Sequence, residues 1–220
     1  MTCLSCRSRG HDPKGAKRSA VAGLREEKKE ETRRRLLDTA SQVFLRQGFA
    51  ATTLDEVAAA AGLTKGAVYS NFEGKADLAI AVLERRFDQL IGLFAQVDST
   101  TSLEEQLKLS SKLLVAELDA AAPWFQLELE CTVAATRNHE LLSRLRSRDE
   151  KMRATVAMTL LDHFGGTSNA LFQADELAAC LIAMVNGVAL ERLKDSRAMP
   201  EELVTQVISA VKLSFLTQAN

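Results

Sequence analysis

The chain has 220 residues, 46% of them hydrophobic and 26% charged, which is the composition of a soluble globular protein and excludes disorder throughout. Three prolines, eleven glycines and one tyrosine, against abundant Ala, Leu, Glu, Lys and Arg, exclude a turn-rich β-sandwich or barrel and predict an all-α fold. No apolar run approaches the roughly 18 to 20 residues of a membrane span, and no apolar segment follows the basic residues near the start, so we expect a cytoplasmic protein without a secretory signal.

Positive charge is concentrated at the N-terminal end. Positions 1–35 hold eleven Lys or Arg against five Asp or Glu, a net of +6, and the other 185 residues hold 17 against 24, a net of −7. A basic end is where a polyanion would be met, but an isolated basic tail is as often only a solvated extension. Positions 1–25 lack apolar periodicity and are rich in Ser, Gly, Arg and Lys, which predicts a disordered basic arm.

Three helices with tight connections are predicted next. From position 26, apolar residues recur at intervals of three and four, which predicts a helix ending near position 47 with Gly48 as its C′ residue. Thr53 and Glu56 form a capping box at the start of a second helix of about two turns. Gly62 ends that helix, and Thr64 is a candidate N-cap for a third short helix over 65–72. The unit is therefore helix, glycine turn, helix.

The rest of the pattern predicts six further helices, about nine in all. They cover approximately positions 75–94, 102–120, 123–137, 139–164, 175–194 and 200–217. Positions 125–133 alternate strictly between apolar and polar residues, which is the period of a half-buried strand. Because no second strand pattern exists to pair with them, and a lone strand leaves its backbone groups unsatisfied, we interpret this segment as helical.

The short third helix has two faces with different roles. Val68 and Phe72 lie four residues apart and can pack down on the second helix. Four residues then point away together: Lys65, Gly66, Tyr69 and Ser70. A short helix with one polar face after a glycine turn is suited to the major groove of DNA, where Gly66 permits close approach of the backbone.

Groups suited to phosphate surround this face. Thr53 and Thr64, as N-caps, place hydroxyls and unpaired amides at helix N-termini, which are anion sites. Lys75 adds a cation beside the same surface. The alternative is that the two short helices are only part of a helical bundle, but the caps, the glycine turn and the segregated basic face agree with one another.

Positions 61–78, AGLTKGAVYSNFEGKADL, closely resemble the DNA-binding domain of the TetR family of bacterial transcriptional regulators, and the resemblance begins at Thr32. It implies a homodimer on double-stranded DNA, an N-terminal three-helix domain over 26–78, and a helical ligand-binding and dimerisation domain over 79–220. By position, phosphate contacts would come from Thr53, Tyr69 and Lys75, and base-edge contacts from Thr64, Lys65, Gly66 and Ser70.

The resemblance has two limits. Ser70 and Asn71 stand where many relatives have an aromatic residue followed by His, so the operator is not inferred from relatives, although Asn71 is kept among the predicted DNA contacts. The resemblance fades after Phe87. Beyond it, we place the apolar helices over 177–193 and 203–216 at the dimer interface, with internal core helices as the alternative.

A small-molecule effector site needs apolar walls with a few polar groups. The predicted ligand-binding residues are Phe94, Trp124, Phe125, Leu127, Glu128, Met152, Phe164 and Met184, with Met158 and His163 as further candidates. For each apolar residue the alternative is ordinary core. Glu128 could meet a cationic lipophilic ligand, but a solvated or ion-paired carboxylate is the stronger interpretation.

Enzymatic and metal signatures are lacking in the sequence. Gly74 and Lys75 superficially resemble a phosphate loop, yet Tyr69 stands where its first glycine is needed. Cys3 and Cys6 form a C-x-x-C without a second pair at zinc spacing. We therefore expect neither an enzyme nor a cofactor or metal. The sequence predicts a dimeric repressor released from a pseudo-palindromic operator by an unidentified small molecule; the alternative is a ligand-independent DNA-associated protein acting through protein partners.

Overall fold

The computed structural model describes residues 13–94, 102–164, 173–195 and 197–216, and within these ranges it contains nine helices and no strand. The helices are α1 (Pro13–Ala51), α2 (Leu54–Ala60), α3 (Lys65–Tyr69), α4 (Lys75–Phe94), α5 (Leu103–Ala120), α6 (Ala122–Ala135), α7 (His139–Phe164), α8 (Ala174–Lys194) and α9 (Glu201–Leu216). The all-α fold predicted from composition is confirmed. No helix in these ranges is long and apolar enough to cross a bilayer.

Helix α1 begins earlier than the sequence predicted. It starts at Pro13, so positions 13–25, which we expected to be a disordered arm, are helical, and only the first twelve residues of that arm lie outside the described part. Proline suits the first position of a helix because its missing N–H has no intrahelical partner there. The side chains at positions 23–31 are exposed, so helix-forming residues, and not packing, account for the helical conformation of that stretch.

The regular part of α1 ends where predicted. Gly48 has φ 82° and ψ 169°, and the residues after it form a final turn that leads into α2. The hydroxyl of Thr52 donates to the Gly48 carbonyl at 2.7 Å. This kink turns the chain so that α2 and α3 can pack across α1.

The N-terminal core lies between α1, α2, α3 and the first half of α4. Its largest fully buried side chains include Leu36, Phe44, Val57, Phe72 and Leu78. The same cluster takes in residues of α6 and α7, so the helix-turn-helix unit rests directly on the larger helical part of the chain. Helix α4 crosses position 78, the predicted domain boundary, and belongs to both parts.

The larger part is built from α4 to α9. Helix α7 packs against α8, and α5 packs against α9, around two further apolar clusters. The segment with strand-like alternation is helix α6, as interpreted: Leu127, Cys131 and Ala135 are buried on one stripe, whereas Val133 is 66% exposed. A cavity lies among α4 to α8.

Candidate nucleic-acid interface and inner cavity

Two N-caps and one glycine shape the turn between α2 and α3. Glu56 N–H donates to the Thr53 hydroxyl at 3.2 Å, and the Glu56 carboxylate accepts the Thr53 N–H at 2.8 Å, which completes the predicted capping box. The Thr53 N–H, and the Thr53 hydroxyl that donates to the same carboxylate at 2.9 Å, lower the pKa of Glu56. Gly62 has φ 61°, a left-handed conformation that a glycine adopts without strain. Thr64 caps α3 by accepting the Ala67 N–H at 3.2 Å.

Helix α3 is buried on one side and open on the other. The helix ends at Tyr69, earlier than the predicted position 72, because Ser70 is its C-cap. Val68 on α3 and Phe72 beyond its end are fully buried against the N-terminal core. Tyr69 is 51% exposed, and the other three predicted outward residues, Lys65, Gly66 and Ser70, are exposed as well. The structure therefore brings these four residues together on one surface, which we call the α3 face.

The α3 face carries a preformed ion pair. Lys65 Nζ lies 2.8 Å from the Asp55 carboxylate, and this hydrogen bond raises the pKa of Lys65. Both side chains are exposed, so the pair contributes little to folding stability. Lys65 gives one of its three N–H groups to Asp55, and its predicted base-edge contact stays a prediction.

Lys75 has partners that the sequence did not reveal. Its ammonium group donates to the carbonyls of Phe49 at 2.9 Å and Ala50 at 3.1 Å, and it lies 4.6 Å from the centre of the Phe49 ring. These contacts hold the end of α1 against α4. One N–H of the ammonium group is then left for the predicted phosphate contact, which stays a prediction.

Asn71 does not share the α3 face. Its side-chain amide nitrogen donates to the Ala67 carbonyl at 2.8 Å. Its backbone carbonyl accepts a hydrogen bond from the Arg33 guanidinium at 3.0 Å. The half-buried residue therefore closes the end of α3. The Arg33 guanidinium also lies 4.5 Å from the Phe72 ring centre. Sequence reasoning missed Arg33 because the contact spans 38 positions.

The cavity has a volume of about 380 Å³ and is lined by α4, α5, α6, α7 and α8. Five predicted ligand-binding residues line it: Phe94, Trp124, Phe125, Glu128 and Met152. Leu127 does not line the cavity, because its side chain faces the N-terminal core and is 1% exposed. Met184 does not line it either, because it packs between the two other apolar clusters. The structure therefore does not place these two predicted residues in the cavity wall.

Three other candidates also differ from expectation or go undescribed. Met158 is 64% exposed and is not a cavity residue. The side chains of Phe164 and His163 lie outside the described part of the structure. A helical stripe predicts that a residue faces inward, but it does not say whether core or cavity lies there.

Two ion pairs stand in the cavity wall. Arg148 Nη1 lies 2.7 Å from Glu128 Oε1, so Glu128 is an ion-paired carboxylate, as the stronger of the two interpretations expected. Arg86 pairs with Glu117, and its guanidinium lies 5.7 Å from the centre of the Trp124 ring. Sequence analysis missed both arginines, since neither stands in a motif and each partner comes from another helix.

Two side chains of the larger part of the chain, Glu130 and Arg144, make polar contacts with the helix-turn-helix unit. Glu130 on α6 accepts the Phe49 N–H at 2.6 Å, beside the kink at Gly48. Arg144 on α7 donates to Asp77 at the start of α4 at 2.9 Å, and it also pairs with Glu73. These contacts are the junction between the two parts.

The predicted dimer helices keep apolar side chains on their surface. Leu190 and Leu193 of α8 are each 40% exposed, and Leu203 and Val207 of α9 are similarly open. Other residues of these helices are buried within the chain, as the core-helix alternative expects, and the dimer interface stays a prediction.

The described residues hold no cluster of three or more side chains suited to a metal ion. The Cys3 and Cys6 pair lies outside the described residues. Burial raises the pKa of the Cys131 thiol to about 12, with Glu128 and Glu130 acting in the same direction, so this thiol stays protonated at neutral pH.

Comparisons with known proteins agree with this geometry. Residues 36–82 match the family model of bacterial regulatory proteins of the tetR family, and residues 104–215 match the C-terminal domain of BetI-type transcriptional repressors. The chain is 42% identical over 91 residues to the transcriptional regulator SrpR of Pseudomonas putida, which covers 41% of this chain and 40% of SrpR. It is 29% identical over 203 residues to the transcriptional repressor BepR of Brucella suis, which covers 86% of this chain and 94% of BepR.

The alignments with SrpR and two similar curated relatives span from 40% to 63% of those proteins. Among solved structures, Salmonella enterica GusR superposes with a TM-score of 0.64 at 20% identity, covering 85% of this chain and 96% of GusR. A TetR transcription regulator from Haloarcula marismortui gives 0.63 at 19% identity, covering 85% and 99%. The C-terminal model alone matches 112 of 220 residues, from 104 to 215, so the chain belongs to the TetR family of bacterial transcriptional regulators.

Proposed function

We propose that this protein is a homodimeric, sequence-specific transcriptional repressor that leaves a pseudo-palindromic operator when a small molecule occupies the cavity. One observation carries the proposal: helix α4 begins beside the α3 face, and its second half lines the cavity through residues such as Phe87 and Phe94. A ligand in the cavity therefore touches the same rigid element that supports the DNA-binding unit.

On the DNA side, α3 would lie in the major groove with Lys65, Gly66 and Ser70 near base edges. A Cβ at Gly66 would have only the Thr64 hydroxyl within 4 Å, so the backbone there is open to a close partner. Tyr69, Thr53 and the remaining donor of Lys75 are suited to phosphates, which fix register and carry no sequence information.

Release follows from linkage. A ligand shifts the equilibrium between two subunit arrangements only by its differential affinity for them. The dimer places two recognition helices one DNA turn apart, so a small rotation of the subunits misplaces one of them. The Glu130 and Arg144 contacts connect the cavity helices α6 and α7 to the end of α1 and the start of α4, where that rotation would begin.

A ligand-independent protein that acts only through protein partners is the second candidate. It would need no interior space, and a filled C-terminal core would favour it. A cavity of about 380 Å³ with aromatic walls lies instead within the usual range for small-molecule sites. The cavity therefore favours the ligand-controlled repressor.

The test is fluorescence anisotropy of the full chain with labelled DNA from upstream of its own gene, with excess random DNA and a salt titration. Competitor-resistant binding by two chains per site supports the proposal. Lys65→Ala should change the sequence preference, whereas Lys112→Ala, an exposed change on α5, should not. If upstream DNA binds only weakly, selection from the whole genome follows, and failure to recover any specific site would refute the proposal.

A further inference from the structure

Four of the five charged groups in the cavity wall are paired with one another. The wall contains two carboxylates, Glu117 and Glu128, and each is paired with an arginine, Arg86 and Arg148 respectively. The fifth charged wall residue, Arg192, donates to the Met199 carbonyl. A cationic ligand would therefore have to break an existing ion pair, and an anionic ligand would meet guanidinium groups that already have partners.

Lipophilic cations are disfavoured for this reason. A cation would bind to Glu128 or Glu117, and it would displace a guanidinium that cannot lose its proton. Arg148 is the more costly to displace because its side chain is only 6% exposed. The displaced arginine would be a buried charge that keeps only its longer, 3.4 Å contact with Asp149.

Arg148 itself has hydrogen-bond donors to spare. A guanidinium has five N–H groups. Three contacts are present: Nη1 to Glu128 at 2.7 Å, Nη1 to Asp149 at 3.4 Å, and Nη2 to Glu128 at 3.4 Å. Five minus three leaves two N–H groups, one on Nε and one on Nη2, and the buried Nε has no hydrogen-bond partner among the described residues. The wall thus has a surplus of donors at a site whose charge is already balanced.

The remaining wall is mainly apolar. Aromatic rings come from α4 and α6, namely Phe87, Phe94, Trp124 and Phe125, and aliphatic side chains come from α5, α7 and α8. Four polar side chains also line the cavity: Gln106, Ser110, Thr159 and Asn186. Apolar walls accept hydrocarbon and place few demands on its shape. Arg148 has a buried N–H without a partner among the described residues, so it is the group that we expect to orient a ligand.

From this geometry we infer that the effector is an uncharged, mainly apolar molecule with a hydrogen-bond-accepting oxygen, such as a ketone, ester or lactone, whose oxygen binds to the Arg148 guanidinium. The inference rests on the proposed function, because it takes the cavity to be the effector site. It replaces the cationic ligand that an unpaired Glu128 would have favoured.

The chain has one tryptophan, Trp124, and this residue lines the cavity, so its fluorescence reports binding without any DNA. We would titrate the full chain at pH 7.5 with 2-undecanone below its solubility limit, and with decanoate and decyltrimethylammonium below their critical micelle concentrations. The ketone should bind at least tenfold more tightly than either ion. Tightest binding of the cation would show that Glu128 is available, and tightest binding of the carboxylate would show that Arg148 acts as a free charge; either result overturns the inference.

Substitutions test the role of Arg148. Arg148→Lys keeps a cation opposite Glu128 but removes the planar fork and its Nε donor, so the affinity for 2-undecanone should fall at least tenfold. Arg153→Lys, an exposed change on the same helix, is the matched control and should leave the affinity unchanged. If Arg148→Lys does not fold, Arg148→Met combined with Glu128→Met removes both charges together and should give the same loss. Undiminished ketone binding in either variant refutes the assignment.

The outcomes separate this inference from the proposed function. If no specific DNA site is found but the ketone binds through Arg148, the repressor proposal fails and the cavity assignment stands. If operator DNA binds tightly but the ketone does not alter Trp124 fluorescence, the ligand class is refuted and the repressor proposal stands.

Discussion

Gly48 is the position where one added methyl group should be most disruptive. Its φ of 82° and ψ of 169° lie in a region that is essentially restricted to glycine, and other residues are strained there by about 1 to 3 kcal/mol. A Cβ built on Gly48 would also lie 2.5 Å from Glu130 Oε2. The carboxylate would have to move and would lose its 2.6 Å hydrogen bond to the Phe49 N–H.

Both effects add to the expected loss for Gly48→Ala. A hydrogen bond to a charged group contributes about 1.5 to 3 kcal/mol, and the lower end applies because Glu130 is half-exposed. The free energy of unfolding should therefore fall by about 3 kcal/mol. For a chain of this size, that corresponds to a decrease in Tm of about 6 to 12 °C. Urea unfolding followed by circular dichroism measures the change.

Two further variants separate strain from collision. Gly92→Ala lies at an exposed position in the last turn of α4, where a Cβ meets nothing within 4 Å, and should raise stability by about 0.5 kcal/mol, the lower end of the gain for a helical glycine. Adding Gly48→Ala to Glu130→Ala should cost only the backbone strain, since the carboxylate is gone. Equal urea midpoints for Gly48→Ala and the unmodified chain would refute the reasoning, and a double variant as stable as Glu130→Ala would show that backbone strain is absent.

Three other predictions concern the DNA surface and one buried thiol. Tyr69→Ala should weaken DNA binding about tenfold for all sequences. It should change the free energy of unfolding by less than about 0.5 kcal/mol, since the Tyr69 side chain is half exposed. An effect on one DNA sequence only would contradict a phosphate contact by Tyr69. Thr53→Ala should lower the free energy of unfolding by about 1 kcal/mol through loss of the α2 cap, as measured by urea unfolding, and an unchanged midpoint would argue against the capping box. Burial raises the pKa of Cys131 from 9.0 to about 12, so its contribution to stability is complete below pH 9 and is lost as the pH rises toward 12. Cys131→Ala should reduce this loss of stability at alkaline pH relative to the unmodified chain. Peptide mapping after treatment of the native protein with iodoacetamide at pH 8 should find Cys180 labelled and Cys131 unlabelled. Prompt labelling of both cysteines would be inconsistent with the raised pKa of Cys131.

Local signals in the sequence determined most of the secondary structure. Capping boxes, a glycine after the last turn and apolar spacing each act over about one helical turn, so the bounds of α2, α5 and α8 could be predicted to within one or two residues. The start of α1 was misplaced because the sequence before position 26 carries no apolar stripe that would mark a helix. The exposed α3 face could also be predicted, since Val68 and Phe72 leave only one side open.

Only the tertiary structure decided which partners the inward-facing and charged groups meet. Lys75 reaches carbonyls 25 and 26 positions away, Glu130 reaches an amide 81 positions away, and Arg148 meets Glu128 across two helices. The division between core and cavity was equally hidden, because Leu127 and Glu128 are neighbours in sequence yet face different interiors. Helical periodicity depends on each residue's own backbone, whereas such contacts depend on how whole helices pack against one another, which no short segment of sequence specifies.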